Sequence, residues 1–191
     1  MKIQKCGYAL SFGKEAVMTC EVKRRDTNKR TPATLYKMNP KLYADRQEVN
    51  FSKHARCISQ YFTKEISRHF PVNDYFLLKD DNSDEVISAA MSSHHYKTGD
   101  NTFNGYTTLV SEYEDNIKYV SPLEPVFAYM VKTADRRFDD TVSVGFYSES
   151  IPFFKSLKFS QIKNGDWVIP KKRYDDFLDR AEKRFNIDFL V

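Results

Sequence analysis

Apolar residues recur at three- and four-residue spacing in three segments, the pattern of a helix that buries one face. The segments run over about Ser52–His69, Pro125–Phe138 and Lys171–Phe185. The third carries carboxylates in its first turn and cations in its last, the arrangement that a helix dipole favours. The pattern therefore predicts three amphipathic helices.

Shorter apolar runs bounded by turn residues predict strands. These runs are Ala16–Val22, Tyr75–Leu78, Val86–Met91, Ile117–Val120, Thr141–Phe146 and Ile162–Ile169. The acidic stretch Asp80–Asp84 separates two of them and is typical of a hairpin turn. Tyr8–Phe12 precedes Gly13 and the first run, which predicts an N-terminal hairpin. The stretch Thr107–Tyr113 is compatible with either a strand or a short helix.

The order of these elements predicts one α/β domain over residues 1–191, with a central mixed sheet flanked by helices. Residues 1–50 hold the N-terminal hairpin and a basic loop, 52–169 the core, and 171–191 the C-terminal helix. A helix between Ile117–Val120 and Thr141–Phe146 predicts that these strands lie side by side and parallel. The predicted shared core is Phe127, Met130, Ala134, Val142, Val144, Phe153, Leu157 and Phe159.

Composition narrows the class of protein. The chain has 191 residues, 41% of them hydrophobic and 29% charged, as in an ordinary globular domain. Its three cysteines, Cys6, Cys20 and Cys57, are an odd number without metal-ligand spacing, which favours neither a disulfide framework nor a zinc site. No apolar stretch approaches the roughly 20 residues that cross a bilayer. We therefore expect a cytoplasmic protein that neither binds a metal nor contacts a membrane.

Two stretches resemble the GNAT acyltransferase superfamily. The string Phe153–Phe159 follows a predicted strand and short helix, where GNAT proteins carry Phe-Tyr-x-x-Leu-Gly-Phe. Val120–Pro122 ends a predicted strand and enters an amphipathic helix, as at the GNAT junction between strand 4 and helix 3. The resemblance covers about residues 52–169 and implies a GNAT-like fold.

The resemblance implies transfer of an acyl group from acyl-CoA, such as acetyl-CoA, to the amine of a small molecule or protein. Backbone N–H groups at the helix start would hold the pyrophosphate, and the pantetheine arm would enter between two splayed parallel strands. The implied cofactor-binding residues are Val120, Ser121, Val126, Phe127 and Ala128. The implied proton-transfer residues are Tyr147 and Glu112.

A second hypothesis stays open because the junction differs from the GNAT pattern. It contains no glycine, Pro122 and Pro125 have no N–H to donate, and Glu124 adds a negative charge. Phe154 stands at the usual tyrosine and Lys158 at the usual glycine. The chain could thus be a catalytically inactive GNAT-like module that binds or regulates a protein or nucleic acid.

Basic residues cluster twice. The cations Lys23, Arg24, Arg25, Lys29 and Arg30 fall in one predicted loop. The run Lys171–Arg173 forms a second cluster, and the two could combine on the folded surface to contact phosphates. A solvated loop is the simpler interpretation. The histidines predict no metal site, because His94 and His95 point to opposite faces of a strand and His54 and His69 lie about four helical turns apart.

Overall fold

A mixed sheet forms the centre of the protein in a computed structural model that describes residues 13–39, 42, 44–45, 48, 73–94, 106–111, 118–133, 141–144, 155, 157–161 and 167–190. The described strands are β1 Glu15–Lys23, β2 Arg30–Met38, β3 Asn73–Asp80, β4 Val86–His94, β5 Tyr106–Ser111, β6 Thr141–Val144, β7 Ser160–Gln161, β8 Trp167–Pro170 and β9 Asp188–Phe189. Their spatial order is β7-β8-β6-β5-β4-β3-β2-β1-β9. The fold is therefore of the predicted α/β class.

The hairpin of β3 and β4 confirms the prediction made from the acidic turn. The strands pair antiparallel, and the buried Asp80 carboxylate accepts hydrogen bonds from the backbone N–H groups of Asn82 and Ser83 at 2.9 and 3.3 Å. An aspartate that bonds its own turn in this way stabilises the reversal of the chain. For Ile162–Ile169 the sequence predicts either one strand or a hairpin that turns at Asn164 and Gly165. The structure has two antiparallel strands, β7 and β8, and the turn between them lies outside the described residues.

Strand β1 confirms the run Ala16–Val22, and its described partners are β2 and β9. The strand β2 was not predicted, because it begins in the basic loop and carries an exposed Pro32 near its start. The turn between β1 and β2 spans residues 24–29 and contains most of the basic cluster. Tyr8–Phe12, the other half of the predicted hairpin, and the helix predicted over Ser52–His69 lie outside the described residues.

The parallel pair differs from the prediction. β6 pairs in parallel with β5 through Tyr106↔Val142, Thr107↔Ser143 and Thr108↔Val144. The predicted partner Ile117–Val120 was wrong, because its described residues make one isolated bridge, from Tyr119 to Arg24. Its apolar character arises from burial of the Tyr119 ring, which is 2% exposed, and not from a place in the sheet.

Two described helices confirm predictions, α1 over Glu124–Thr133 and α2 over Tyr174–Phe185, the second preceded by a 3-10 turn at Lys171–Arg173. The buried residues of α2 are those of its predicted apolar face, namely Tyr174, Phe177, Leu178, Ala181 and Phe185. The helices pack on each other. Their buried faces meet at Phe159, whose ring centroid lies 5.6 Å from that of Phe127 and 6.1 Å from that of Phe177.

Half of the predicted core can be compared with the structure. Phe127, Met130, Leu157 and Phe159 are all buried, as predicted. Ala134, Phe153 and the side chains of Val142 and Val144 lie outside the described residues. The confirmed members join α1 to the Phe153–Phe159 string. The prediction that α1 buries a single apolar face was wrong, because every residue from Glu124 to Val131 is buried.

Candidate functional site

The parallel strands β5 and β6 bring their carboxyl ends to one edge of the sheet. Their pairing extends to Thr108↔Val144. β5 then continues for three residues, Leu109–Ser111, which pair with β4 on their other side and with no second strand among the described residues. In open α/β sheets, ligands bind outside the carboxyl ends of the strands. This end of the β5–β6 pair is therefore a candidate binding site.

Helix α1 begins at the same edge of the sheet. The Ser88 hydroxyl of β4 donates a hydrogen bond to the Pro122 carbonyl at 3.2 Å, which ties the junction before α1 to the end of β4 that pairs with Ser111. Ser121 turns the chain in the left-handed region, at φ 49°, and its carbonyl accepts a hydrogen bond from the N–H of Glu124 at 3.1 Å. The helix start thus lies at the strand ends, as the predicted site requires.

The five predicted cofactor-binding residues fall into two groups. Val120 and Ser121 are half-buried and reach the surface. Val126, Phe127 and Ala128 are buried, at 1%, 0% and 0% exposure. The Phe127 N–H donates to the Leu123 carbonyl at 3.0 Å and is used within the helix. The accessible part of the helix start is therefore the turn at Val120 and Ser121, whereas the predicted proton-transfer residues Tyr147 and Glu112 lie outside the described residues.

Glu124 is buried at the start of α1, where the sequence predicted a charge that repels phosphate. Its carboxylate points toward α2 instead: Oε2 lies 2.6 Å from Nη1 of Arg184, and Oε1 lies 3.8 Å from Nε of Arg180. Burial raises the pKa of Glu124, and the two arginines oppose this effect. Arg184 also donates to the Ser121 hydroxyl, at 3.4 Å. The negative charge is therefore compensated, and a guanidinium lies beside the accessible turn.

Sequence reasoning missed the role of Arg184 because it lies 60 residues from Glu124. The one available signal was the pair of cations in the last turn of α2, which the helix dipole already explains. Only the packing of α2 against α1 brings that turn to the helix start.

The segment before α1 is held by the turns of two hairpins. The Tyr119 hydroxyl donates to the buried Asp80 carboxylate at 3.1 Å. From the β1–β2 turn, Arg25 donates its Nε–H to the Tyr119 carbonyl at 3.1 Å and its backbone N–H to the Lys118 carbonyl at 2.6 Å. Burial raises the pKa of Tyr119 well above its usual range, so its hydroxyl stays protonated. This network fixes the path of the chain into the candidate site.

The basic β1–β2 turn is partly neutralised by its own carboxylates. Arg24 pairs with Asp26 at 2.7 Å, and Arg30 pairs with Glu21 at 3.2 Å. Lys23 and Lys29 are exposed, and neither makes an ion pair with another described residue. The side chains available for an anionic partner are therefore chiefly these two lysines.

The end of the Phe153–Phe159 string adopts the backbone that the resemblance implies. Lys158, at the position of the usual GNAT glycine, has a φ of 62°. The carbonyl of Leu157 accepts a hydrogen bond from Nη2 of Arg180 at 3.1 Å, and that of Lys158 from Nη1 of Arg173 at 3.0 Å. The left-handed turn is thus retained although its glycine is not.

Neither metal binding nor membrane insertion gains support from the described residues. No group of His, Cys, Asp and Glu side chains in this part of the chain could hold a metal ion. None of the described helices has the length and apolar character needed to span a membrane.

The fold is that of GNAT acetyltransferases. No protein-family model and no curated protein matches the chain. Among solved structures, it is similar to apo FdhC, described as a nucleotide-linked sugar GNAT, with a TM-score of 0.50 and 9% identity over 85% of this chain and 97% of that one. It is also similar to a T. thermophilus protein described as an acetyltransferase, with a TM-score of 0.50 and 10% identity over 86% and 96% of the two chains. The chain therefore has a divergent GNAT-like fold.

Proposed function

We propose that the protein is an N-acyltransferase that transfers an acyl group from acyl-CoA to an amine acceptor. The observation that carries this proposal is the parallel pair β5–β6, whose carboxyl ends lie at one edge of the sheet. Helix α1 begins at the same edge, and the whole arrangement stands in a GNAT-like fold. In the proposed complex the pantetheine arm of acetyl-CoA enters at the carboxyl ends of β5 and β6.

The charges around the helix start are compatible with a pyrophosphate. In the proposed complex the phosphates lie at Val120 and Ser121, the accessible turn before α1. Arg184, 3.4 Å from the Ser121 hydroxyl, places a cation there, and Glu124 is compensated within the protein. A guanidinium is a strong phosphate ligand and can replace part of the attraction that a glycine-rich loop supplies. Val126, Phe127 and Ala128 would then contribute through the helix dipole only.

The chemistry of the proposed reaction requires two proton transfers. The acceptor amine must lose a proton before it attacks the thioester, and the CoA thiolate must gain one as it leaves. We assign the first transfer to Glu112 and the second to Tyr147, the nearest tyrosine in sequence now that Phe154 has no hydroxyl. The acceptor is an amine of a small molecule or a protein.

One observation favours the alternative function, a catalytically inactive module that binds a protein or nucleic acid. The residues Pro122–Val126 are all buried, so apolar packing covers the beginning of α1. A helix start that is closed in this way offers few N–H groups to a phosphate. In this alternative a partner binds at the carboxyl ends of β5 and β6.

Calorimetric titration of acetyl-CoA and of free CoA into the protein separates the two functions. An acyltransferase should bind both ligands with micromolar affinity. Val120→Glu should weaken this binding at least about tenfold, because it places a carboxylate beside the phosphates, whereas Val120→Gln controls for side-chain size. No heat with either ligand, from a protein whose fold is retained, would contradict the acyltransferase and leave the binding module.

The assigned proton donor has its own test. Tyr147→Phe should slow turnover of acetyl-CoA with an amine acceptor by about 10²-fold or more, while the dissociation constant of acetyl-CoA stays unchanged. Glu112→Gln should act in the same way on the amine side. Equal turnover in the variant and the unmodified protein would remove Tyr147 from the mechanism.

A further inference from the structure

Helix α2 lies between two clefts that are lined by cations. The larger cleft, of about 810 Å³, is formed by α2 with the turn that precedes β7 and with β8. Its cations are Lys158, Arg173, Arg180 and Lys183, and its carboxylates are Asp176 and Asp179. Positive charges therefore outnumber negative ones in this cleft.

The second cleft, of about 300 Å³, joins the C-terminal end of α2 to the basic β1–β2 hairpin. Lys23 and Arg30 line it from the hairpin, Arg184 from the helix and Val120 from the turn before α1, beside one carboxylate, that of Glu21. Because Lys183 of the first cleft and Arg184 of the second are neighbours in the last turn of α2, the two clefts form one cationic surface. The two basic runs of the sequence thus lie at opposite ends of one helix of about 18 Å.

Several of these cations are available to a ligand. Lys23, Lys158 and Lys183 are exposed, and their ammonium groups form no ion pair within the described part of the chain. Arg173 bonds a backbone carbonyl, which leaves its positive charge uncompensated. Lys172 is exposed in the 3-10 turn next to Arg173 and extends the surface beyond the first cleft.

We propose that this surface, α2 with its two cationic clefts, binds the phosphate backbone of a single-stranded nucleic acid. Electrostatic contact with phosphates needs clustered lysines and arginines and no apolar anchor. Stable protein partners, in contrast, bind through exposed aromatic and apolar side chains. Leu190 is the one exposed large apolar residue in the described part of the chain, and the rings of Phe159 and Phe177 in the first cleft are 5% and 2% exposed.

The carboxylates on α2 favour a single strand over a duplex. Asp176 and Asp179 lie among the cations of the first cleft, so the positive surface is interrupted. A duplex carries one charge about every 1.7 Å along its axis and cannot avoid these carboxylates, whereas a flexible strand can place its phosphates in the clefts and bend away between them. With its aromatic rings buried, the surface offers no stacking platform, and binding should depend little on base sequence.

Fluorescence anisotropy with a labelled single strand of roughly 20 nucleotides of mixed sequence tests the proposal. The ribo and deoxy forms, the matching duplex and polyglutamate are measured in parallel. The single strands should bind, and the logarithm of the binding constant should fall linearly with the logarithm of the salt concentration. The duplex should bind more weakly, and polyglutamate should not compete at equal charge concentration.

The triple variant Lys23→Gln, Lys158→Gln, Lys183→Gln should bind the single strand at least about tenfold more weakly, with a salt slope that is smaller by about 2. Lys14→Gln is the matched control, because it removes a cation at the opposite end of β1, where Lys14 pairs with Glu48. This control should bind within about twofold of the unmodified protein.

Three results overturn the proposal: no anisotropy change at low salt, equal binding by the triple variant and the control, or tighter binding of polyglutamate than of either single strand. The last result would indicate an acidic protein partner instead. Circular dichroism confirms that the triple variant is folded, as expected because all three lysines are exposed. The proposal does not depend on acyl transfer, since calorimetry with acetyl-CoA tests that function separately.

Discussion

Lys158 occupies a backbone conformation that costs an L-residue free energy. At φ 62° its Cβ approaches the following carbonyl oxygen, an arrangement that glycine adopts without cost. The arginines that bond the Leu157 and Lys158 carbonyls hold this turn in place. The sequence places Lys158 at the usual GNAT glycine, and the structure gives this residue a backbone conformation that favours glycine.

Lys158→Gly should therefore raise the free energy of unfolding, by about 0.5–1 kcal/mol, because relief of the left-handed strain exceeds the added entropy of the unfolded chain. The matched control is Lys155→Gly, at an exposed helical position three residues earlier. It should lower the free energy of unfolding by about 1 kcal/mol. Urea denaturation measures both, and a loss of stability in Lys158→Gly would show that the turn is not strained.

Glu124 makes stability depend on pH. Its native pKa is raised above the ordinary value of 4.5 by burial, so the native state binds this proton more tightly than the unfolded state does. Its contribution to stability is present below the unfolded pKa and is lost as the pH rises through the native pKa. The Glu124→Gln variant does not show this loss of stability as the pH rises. The free energy of unfolding of the variant, minus that of the unmodified protein, should therefore increase with pH.

Urea denaturation of both proteins from about pH 4 to about pH 8 checks this difference. A difference that falls over the same interval would show that Arg184 and Arg180 outweigh burial and lower the native pKa of Glu124.

Among the elements, the segment between β5 and α1 depends on the Tyr119–Asp80 hydrogen bond. Asp80 is 1% exposed, so a lost donor leaves a carboxylate oxygen buried and unsatisfied. Tyr119→Phe should lower the free energy of unfolding by about 1–3 kcal/mol. Tyr36→Phe is the control, on a half-buried tyrosine of β2 whose ring keeps its contact with Lys14. If the two variants lose equal stability in urea, the hydrogen bond does not hold the segment.

The packing of α1 on α2 depends on Phe127, which is 0% exposed and contacts Phe159. Phe127→Ala should cost about 3–5 kcal/mol of unfolding free energy, from lost burial and the cavity that remains. Phe127→Leu retains most of the volume and should cost less than about 1.5 kcal/mol. A cost below about 1 kcal/mol for the alanine variant would mean that α1 does not anchor this core.

Sequence patterns predicted elements whose signal is local. The helix α1, the apolar face of α2 and the acidic turn between β3 and β4 each lie within one segment, and all three are confirmed. The partner of β6 was wrong for a physical reason: a buried tyrosine in a connecting segment produces the same apolar run as a strand. Which strand lies beside β6 is decided by contacts across the sheet, and the sequence of one strand carries no information about those contacts.

The candidate site could likewise be predicted from the sequence only in part. Its location at the start of α1 follows from the order of the elements, which the sequence predicts. Its charge does not, because Arg184 reaches Glu124 and Ser121 only after α2 packs on α1. Glu124, Arg184 and Ser121 come from α1, α2 and the turn before α1, and their spacing in the sequence matches no known motif.

At the scale of the whole molecule, α2 has two surfaces with different tasks. Its buried face, from Tyr174 to Phe185, packs in the core, and its last turn compensates Glu124 at the start of α1. Its exposed cations line both clefts of the proposed nucleic-acid surface. The second cleft also includes Val120 and Arg184, where we propose that the pyrophosphate of acyl-CoA lies, so the two proposed ligands would share this end of α2.

Ligand binding should therefore be visible in the stability of the whole molecule. Acetyl-CoA at about 100 times its dissociation constant should add about 2.7 kcal/mol to the free energy of unfolding. For a domain of this size the melting temperature should then rise by about 5–10 °C. Because binding involves the start of α1, Val120→Glu should reduce the rise to about half or less, since a tenfold weaker affinity leaves about 1.4 kcal/mol, and Val120→Gln should preserve it. The double variant Lys158→Gln, Lys183→Gln should keep the full rise, since both side chains line the first cleft, whereas Val120 lines the second. A rise that disappears in this double variant but persists in Val120→Glu would place acetyl-CoA in the first cleft and contradict the assignment of the start of α1 as its site.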